Sequence, residues 1–83
     1  MDRNDIEQRV REALGEQLGL GLEVVTAGAR FEEDLDADSL DLVEVVLRLE
    51  EVFDVKIPEN EMQDVDTVGQ AVDLVAGKLG VSA

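Results

Sequence analysis

Residues 38 to 53 read Asp-Ser-Leu-Asp-Leu-Val-Glu-Val-Val-Leu-Arg-Leu-Glu-Glu-Val-Phe, and this stretch constrains the fold more than any other. At a helical turn of about 100° per residue, Leu42, Val45, Val46, Leu49, Val52 and Phe53 share one face. Asp41, Glu44, Arg48 and Glu51 share the opposite face, with Leu40, Val43 and Leu47 along the border. Asp38 is placed to cap the helix, because its carboxylate can accept an orphan N–H of the first turn. Asp41 then stands at N3, where the positive helix end favours an acid, and Ser39 falls at N1. Four β-branched residues, Val43, Val45, Val46 and Val52, lower intrinsic helicity, but period and cap outweigh that small cost.

The flanking segments predict more helices. Ile6, Val10, Ala13, Leu14 and Leu18 give residues 3–18 an apolar face that Gly19 and Gly21 end. Residues 19–37 keep no period, yet Leu20, Leu22, Val24, Val25, Phe31 and Leu35 are spaced to pin this long segment across a core. After the break at Asp54 to Pro58, a short helix is expected over residues 59–64, with Met62 and Val65 inward. Thr67 and Gln70 have capping-box spacing for a last helix over residues 67–79, with Val68, Ala71, Val72, Val75, Ala76 and Leu79 on its apolar face and Gly80 at its end. The expected fold is all-α: a small antiparallel bundle of three principal helices plus one short helix, forming a single domain over residues 1–83.

Composition narrows the chemistry. Twenty-one acids against seven bases give a net charge of -14, which disfavours nucleic acid and anionic membranes and attracts basic protein partners. There is no Cys and no His, hence no disulfide, no thiolate site and no ordinary base to activate a serine. The acids Asp34, Asp36, Asp38 and Asp41 lack the order of a calcium-binding loop, so weak ion screening is expected and no specific metal site. A glycosidase reading has only the existence of carboxylates behind it. No apolar run approaches the ~20 residues of a bilayer span, and the start lacks a signal-peptide stretch; a cytoplasmic monomer without stable membrane insertion is the expectation. From residue 30 to 51, nine acids face two bases, Arg30 and Arg48, so the charge is concentrated around Ser39. That leaves an acidic interaction module or an attachment point at Ser39 as the open readings.

Phe31-Glu32-Glu33-Asp34-Leu35-Asp36-Ala37-Asp38-Ser39-Leu40-Asp41 closely resembles the modification loop of bacterial acyl carrier proteins. Leu49 to Pro58 and Asp66-Thr67-Val68 resemble later segments of that family at the same spacings, and Glu16-Gln17-Leu18-Gly19 and Val25-Thr26 extend the resemblance over essentially the whole chain.

The resemblance implies a non-catalytic carrier in fatty acid biosynthesis, with a polyketide-pathway carrier as the alternative. Ser39 would accept 4'-phosphopantetheine from coenzyme A through a phosphopantetheinyl transferase, and the arm's thiol would hold an acyl group as a thioester. Synthase, reductase, dehydratase and acyltransferase partners would read Asp38, Leu40, Asp41, Glu44 and Glu51 through basic patches. Val43, Leu47, Met62 and Val65 would line an acyl-chain site, each being an equally good core residue. The chain departs from the family at Asp36, where Gly is common, and at Arg48, which is expected to pair with Glu44 or Glu51 or to bias partner choice.

Overall fold

The computed structural model describes residues 1–81. Three principal helices, α1 (Arg3–Leu18), α2 (Ser39–Phe53) and α4 (Val68–Lys78), are joined by one short helix, α3 (Glu59–Met62), in an all-α bundle. Each principal helix starts with a reciprocal capping box: Asp2 with Asp5, Asp38 with Asp41, and Thr67 with Gln70. In each, the cap side chain accepts the N3 N–H while the N3 side chain accepts the cap's own N–H, which satisfies two orphan donors.

α1 packs against both α2 and α4. Ile6, Val10 and Leu14 of α1, Val45 and Leu49 of α2, and Val68, Val72 and Val75 of α4 are almost fully buried. The two aromatic residues, Phe31 and Phe53, join this aliphatic core. α1 ends at Gly19, whose φ of 70° is a left-handed conformation that glycine adopts without a Cβ penalty. Gly15 is needed for a different reason, since a Cβ there would stand 2.8 Å from the carbonyl oxygen of Leu20.

The long α1–α2 connection is held from both sides. Arg11 Nε donates to the Val25 carbonyl at 2.7 Å and Arg11 Nη2 to the Leu22 carbonyl at 2.8 Å. The N–H of Phe31 donates to Asp66 O, and those of Val68 and Gly69 donate to Ala29 O and Ala27 O, so the loop is fastened to the start of α4. Val25, Phe31 and Leu35 enter the core as their spacing predicts, whereas Leu22 and Val24 are exposed. Backbone bonds and Arg11 secure that part of the loop in place of apolar anchors.

Four further expectations are corrected. Val52 lies on the buried side by angle but is 39 % exposed, in a surface depression with Arg9, Glu12, Ala13, Glu16 and Arg48. Helical period sets a side chain's direction without guaranteeing a neighbour to cover it. Leu79, one residue beyond α4, is exposed for the same reason. α3 stops at Met62, before the expected residue 64, because the N–H of Val65 turns back to Met62 O in a tighter i to i+3 bond. Arg48 pairs with Glu16 of α1, and with neither Glu44 nor Glu51, so it ties two helices together.

Candidate functional site

The segment before α2 is built to present Ser39 to solvent. Leu35 and Ala37 are buried, while Glu32, Glu33, Asp34, Asp36 and Asp38 stay exposed. Ala37 N–H donates to Phe31 O at 2.8 Å, and Leu35 N–H to Arg30 O at 3.0 Å. Between the two anchors Asp36 takes φ 55°, the left-handed conformation that glycine adopts most readily and that Asp tolerates better than most residues. The chain therefore meets that backbone demand with an acid.

Asp38 Oδ1 accepts Asp41 N–H at 2.9 Å, and Asp41 Oδ2 accepts Asp38 N–H at 3.1 Å. Capping is thus complete without Ser39. Its side chain is exposed, and its hydroxyl makes no hydrogen bond among the described residues, so it is accessible from solvent. Its position at N1 lies at the positive end of a fifteen-residue helix, an environment that favours an anionic group.

One side of Ser39 opens onto a groove of about 430 Å³ between α2 and the α3 segment. Leu42, Val43, Val46 and Leu47 form its α2 wall, and Ile57, Glu59, Met62 and Gln63 face them, with Glu50 at the far end of the helix. Of the residues singled out in the sequence as acyl-chain lining, Val43, Leu47 and Met62 are in this wall. Val65 is half-buried against the core and outside it. Leu42, Val46, Ile57 and Glu50 were not singled out. The i, i+4 pairs Leu42–Val46 and Val43–Leu47 carried the signal for the first two. A larger depression near the N-terminus, lined by Met1, Asp5, Gln8, Arg9 and Glu12, is mostly polar and does not include Ser39.

The recognition candidates lie on or just before α2, and none of them lines the groove. Leu40 is 65 % exposed, and Val43 and Leu47 of the same helix are exposed as well. Asp38, Glu44 and Glu51 are exposed and Asp41 is half-buried. Glu44 Oε2 accepts a 2.8 Å hydrogen bond from Gln17 Nε2 of α1, which holds that carboxylate in place on the surface.

Among the described residues, no group of acids is arranged to hold a metal ion, and no helix is long and apolar enough to cross a membrane. The family model described as "Phosphopantetheine attachment site" matches residues 8–75, most of the chain. A free hydroxyl at a helix start and an adjacent apolar groove fit a flexible phosphate-linked arm. The chain therefore belongs to the phosphopantetheine attachment-site family, as a non-catalytic, acyl-carrier-like protein whose covalent cofactor is 4'-phosphopantetheine.

Proposed function

We propose that Ser39 is the attachment residue and that the cargo is the growing acyl chain of fatty acid synthesis. The observation that carries this reading is the uncommitted Ser39 hydroxyl, exposed at the mouth of an apolar groove. In the transferase, Ser39 Oγ attacks the phosphorus of coenzyme A next to the pantetheine. The Oγ–P bond forms, the bond to adenosine 3',5'-bisphosphate breaks, and the Ser39 proton passes to a base that the transferase must supply. When bound, the arm supplies a thiol that holds the acyl group as a thioester. Lacking His and Cys, this chain offers that thioester no nucleophile or base of the usual kind.

The groove favours a reduced chain over a polyketide. Its walls are mainly Leu42, Val43, Val46, Leu47, Ile57 and Met62. Each buried CH₂ gains about 0.8 kcal/mol there, whereas a buried ketone without a donor costs on the order of 1–3 kcal/mol. Asp38, Leu40, Asp41, Glu44 and Glu51 form the face read by the transferase and the acyl-processing enzymes, acids meeting basic patches and Leu40 adding an apolar contact.

Incubation with coenzyme A and a broad-range transferase should add one arm by intact mass. The loaded chain should then serve a fatty-acid ketosynthase faster than a polyketide one. The reverse preference would assign the chain to a polyketide pathway, and no added arm on well-folded protein would remove the carrier role of Ser39.

A further inference from the structure

Glu50 is the charged side chain that α2 contributes to the groove, and it is engaged. Its Oε2 accepts a hydrogen bond from the Ile57 N–H at 2.8 Å in a partly buried setting. Among the described residues this is the one side-chain hydrogen bond between α2 and the segment that forms the opposite wall. Three features make its geometry consequential. The Ile57 side chain is buried in the core, so its backbone N–H has little freedom to turn elsewhere. Pro58 follows at φ -59° and passes any movement of Ile57 on to Glu59, Met62 and Gln63. α3 itself has no buried residue, and its other side-chain tie is the Glu61–Lys78 pair at 2.7 Å, which anchors it to α4 and not to α2.

We propose that Glu50 is a positioning residue for cargo: by holding the Ile57 N–H, its carboxylate fixes the separation of the two groove walls and thereby determines how well a medium-length saturated acyl chain is shielded from water. This rests on the attachment at Ser39. A two-carbon acyl group has almost no apolar surface to bury, so it is nearly indifferent to the latch, whereas an eight-carbon chain has several CH₂ groups to bury and depends on it. A charge-assisted bond is the suitable device, because it is stronger than a neutral one. Glutamine at this position keeps an acceptor of the same reach, and alanine has none.

The test compares the wild type with E50Q and E50A. In the unmodified protein, amide hydrogen exchange at Ile57 should be slowest in the wild type and only a few-fold faster in E50Q, whose amide oxygen accepts the same bond without the charge. In E50A it should be about tenfold faster or more, as expected for loss of a hydrogen bond to a charged group. Amides of α1 and α4 should not change. In arm-bearing protein, hydroxylamine should cleave the eight-carbon thioester several-fold more slowly than the two-carbon thioester in the wild type and E50Q, and E50A should lose that difference. Exchange that accelerates equally throughout E50A would overturn the proposal by making Glu50 a general fold residue. Eight-carbon protection that survives in E50A would overturn the latch while leaving the attachment intact. If no variant can be loaded at Ser39, the attachment falls and the cargo role falls with it, whatever Ile57 does.

Discussion

Asp38 performs a structural duty at the same place where recognition is proposed, and the two can be separated. Its carboxylate caps α2 through the 2.9 Å bond from Asp41 N–H, a contact worth about 0.5–2 kcal/mol when such a residue is replaced by alanine. Asp38→Ala should therefore lower stability in urea by about 1 kcal/mol, whereas Asp38→Asn, a comparable cap, should hold within a few tenths. If the Asn variant is as stable as the wild type but is modified more slowly by the transferase, the lost function belongs to the charge. Equal modification of the two would assign Asp38 to capping alone. Asp36 and Asp54 show a related economy of residue choice. Both take a positive φ, at 55° and 53°, at positions where glycine is the usual solution. In each case the chain accepts a modest backbone cost and adds a negative charge at an end of α2.

At the scale of elements, close approach at the end of α1 gives the sharpest stability prediction. A Cβ on Gly15 would meet a backbone carbonyl, which cannot swing aside as a side-chain end can. Gly15→Ala should cost roughly 1–3 kcal/mol despite alanine's better helix propensity, measured by urea unfolding; a gain would mean that the turn yields easily. The exposed face of α2 should act through charge. Glu51→Lys should slow transfer of the arm more at low salt than at high salt while leaving helicity by circular dichroism unchanged, and a salt-independent effect would argue against electrostatic docking. These elements were legible in the sequence to different degrees. Period alone announced α1, whose Asp2–Asp5 box was not read, while caps and period together announced α2 and α4, because Asp38, Thr67 and Gln70 act within one turn of the residues they serve. Exposure of Val52 and Leu22, the Arg48–Glu16 pair, and the Glu50–Ile57 bond were not legible. Each depends on where a segment distant along the chain comes to rest, and no local spacing encodes that. The Ser39 region lies between these cases: its cap was readable from neighbours, while the groove beside it required the path of residues 57–63.

For the whole molecule, the seven basic residues carry more structural duty than their number suggests. Arg3 pairs with Asp73, Arg48 with Glu16 and Lys78 with Glu61, while Arg30 reaches Asp66 and Arg11 holds the first loop, so five of them join separate segments. The pairs are partly exposed, and each is worth at most about 1 kcal/mol. Against a net charge of -14, general repulsion should outweigh them. Raising NaCl from about 10 mM to about 1 M shortens the Debye length from about 30 Å to about 3 Å and should raise Tm by several degrees. A fall in Tm would mean that the ion pairs dominate. The same acidity, gathered around the Ser39 hydroxyl, is what the proposed docking of basic partners rests on. The most direct test is fragmentation mass spectrometry of the chain after reaction with coenzyme A and transferase, locating the phosphodiester among Ser39, Ser82, Thr26 and Thr67. The account predicts a single arm on Ser39, absent in Ser39→Ala and retained in Ser82→Ala; an arm on any other hydroxyl, or one that persists in Ser39→Ala, would contradict it.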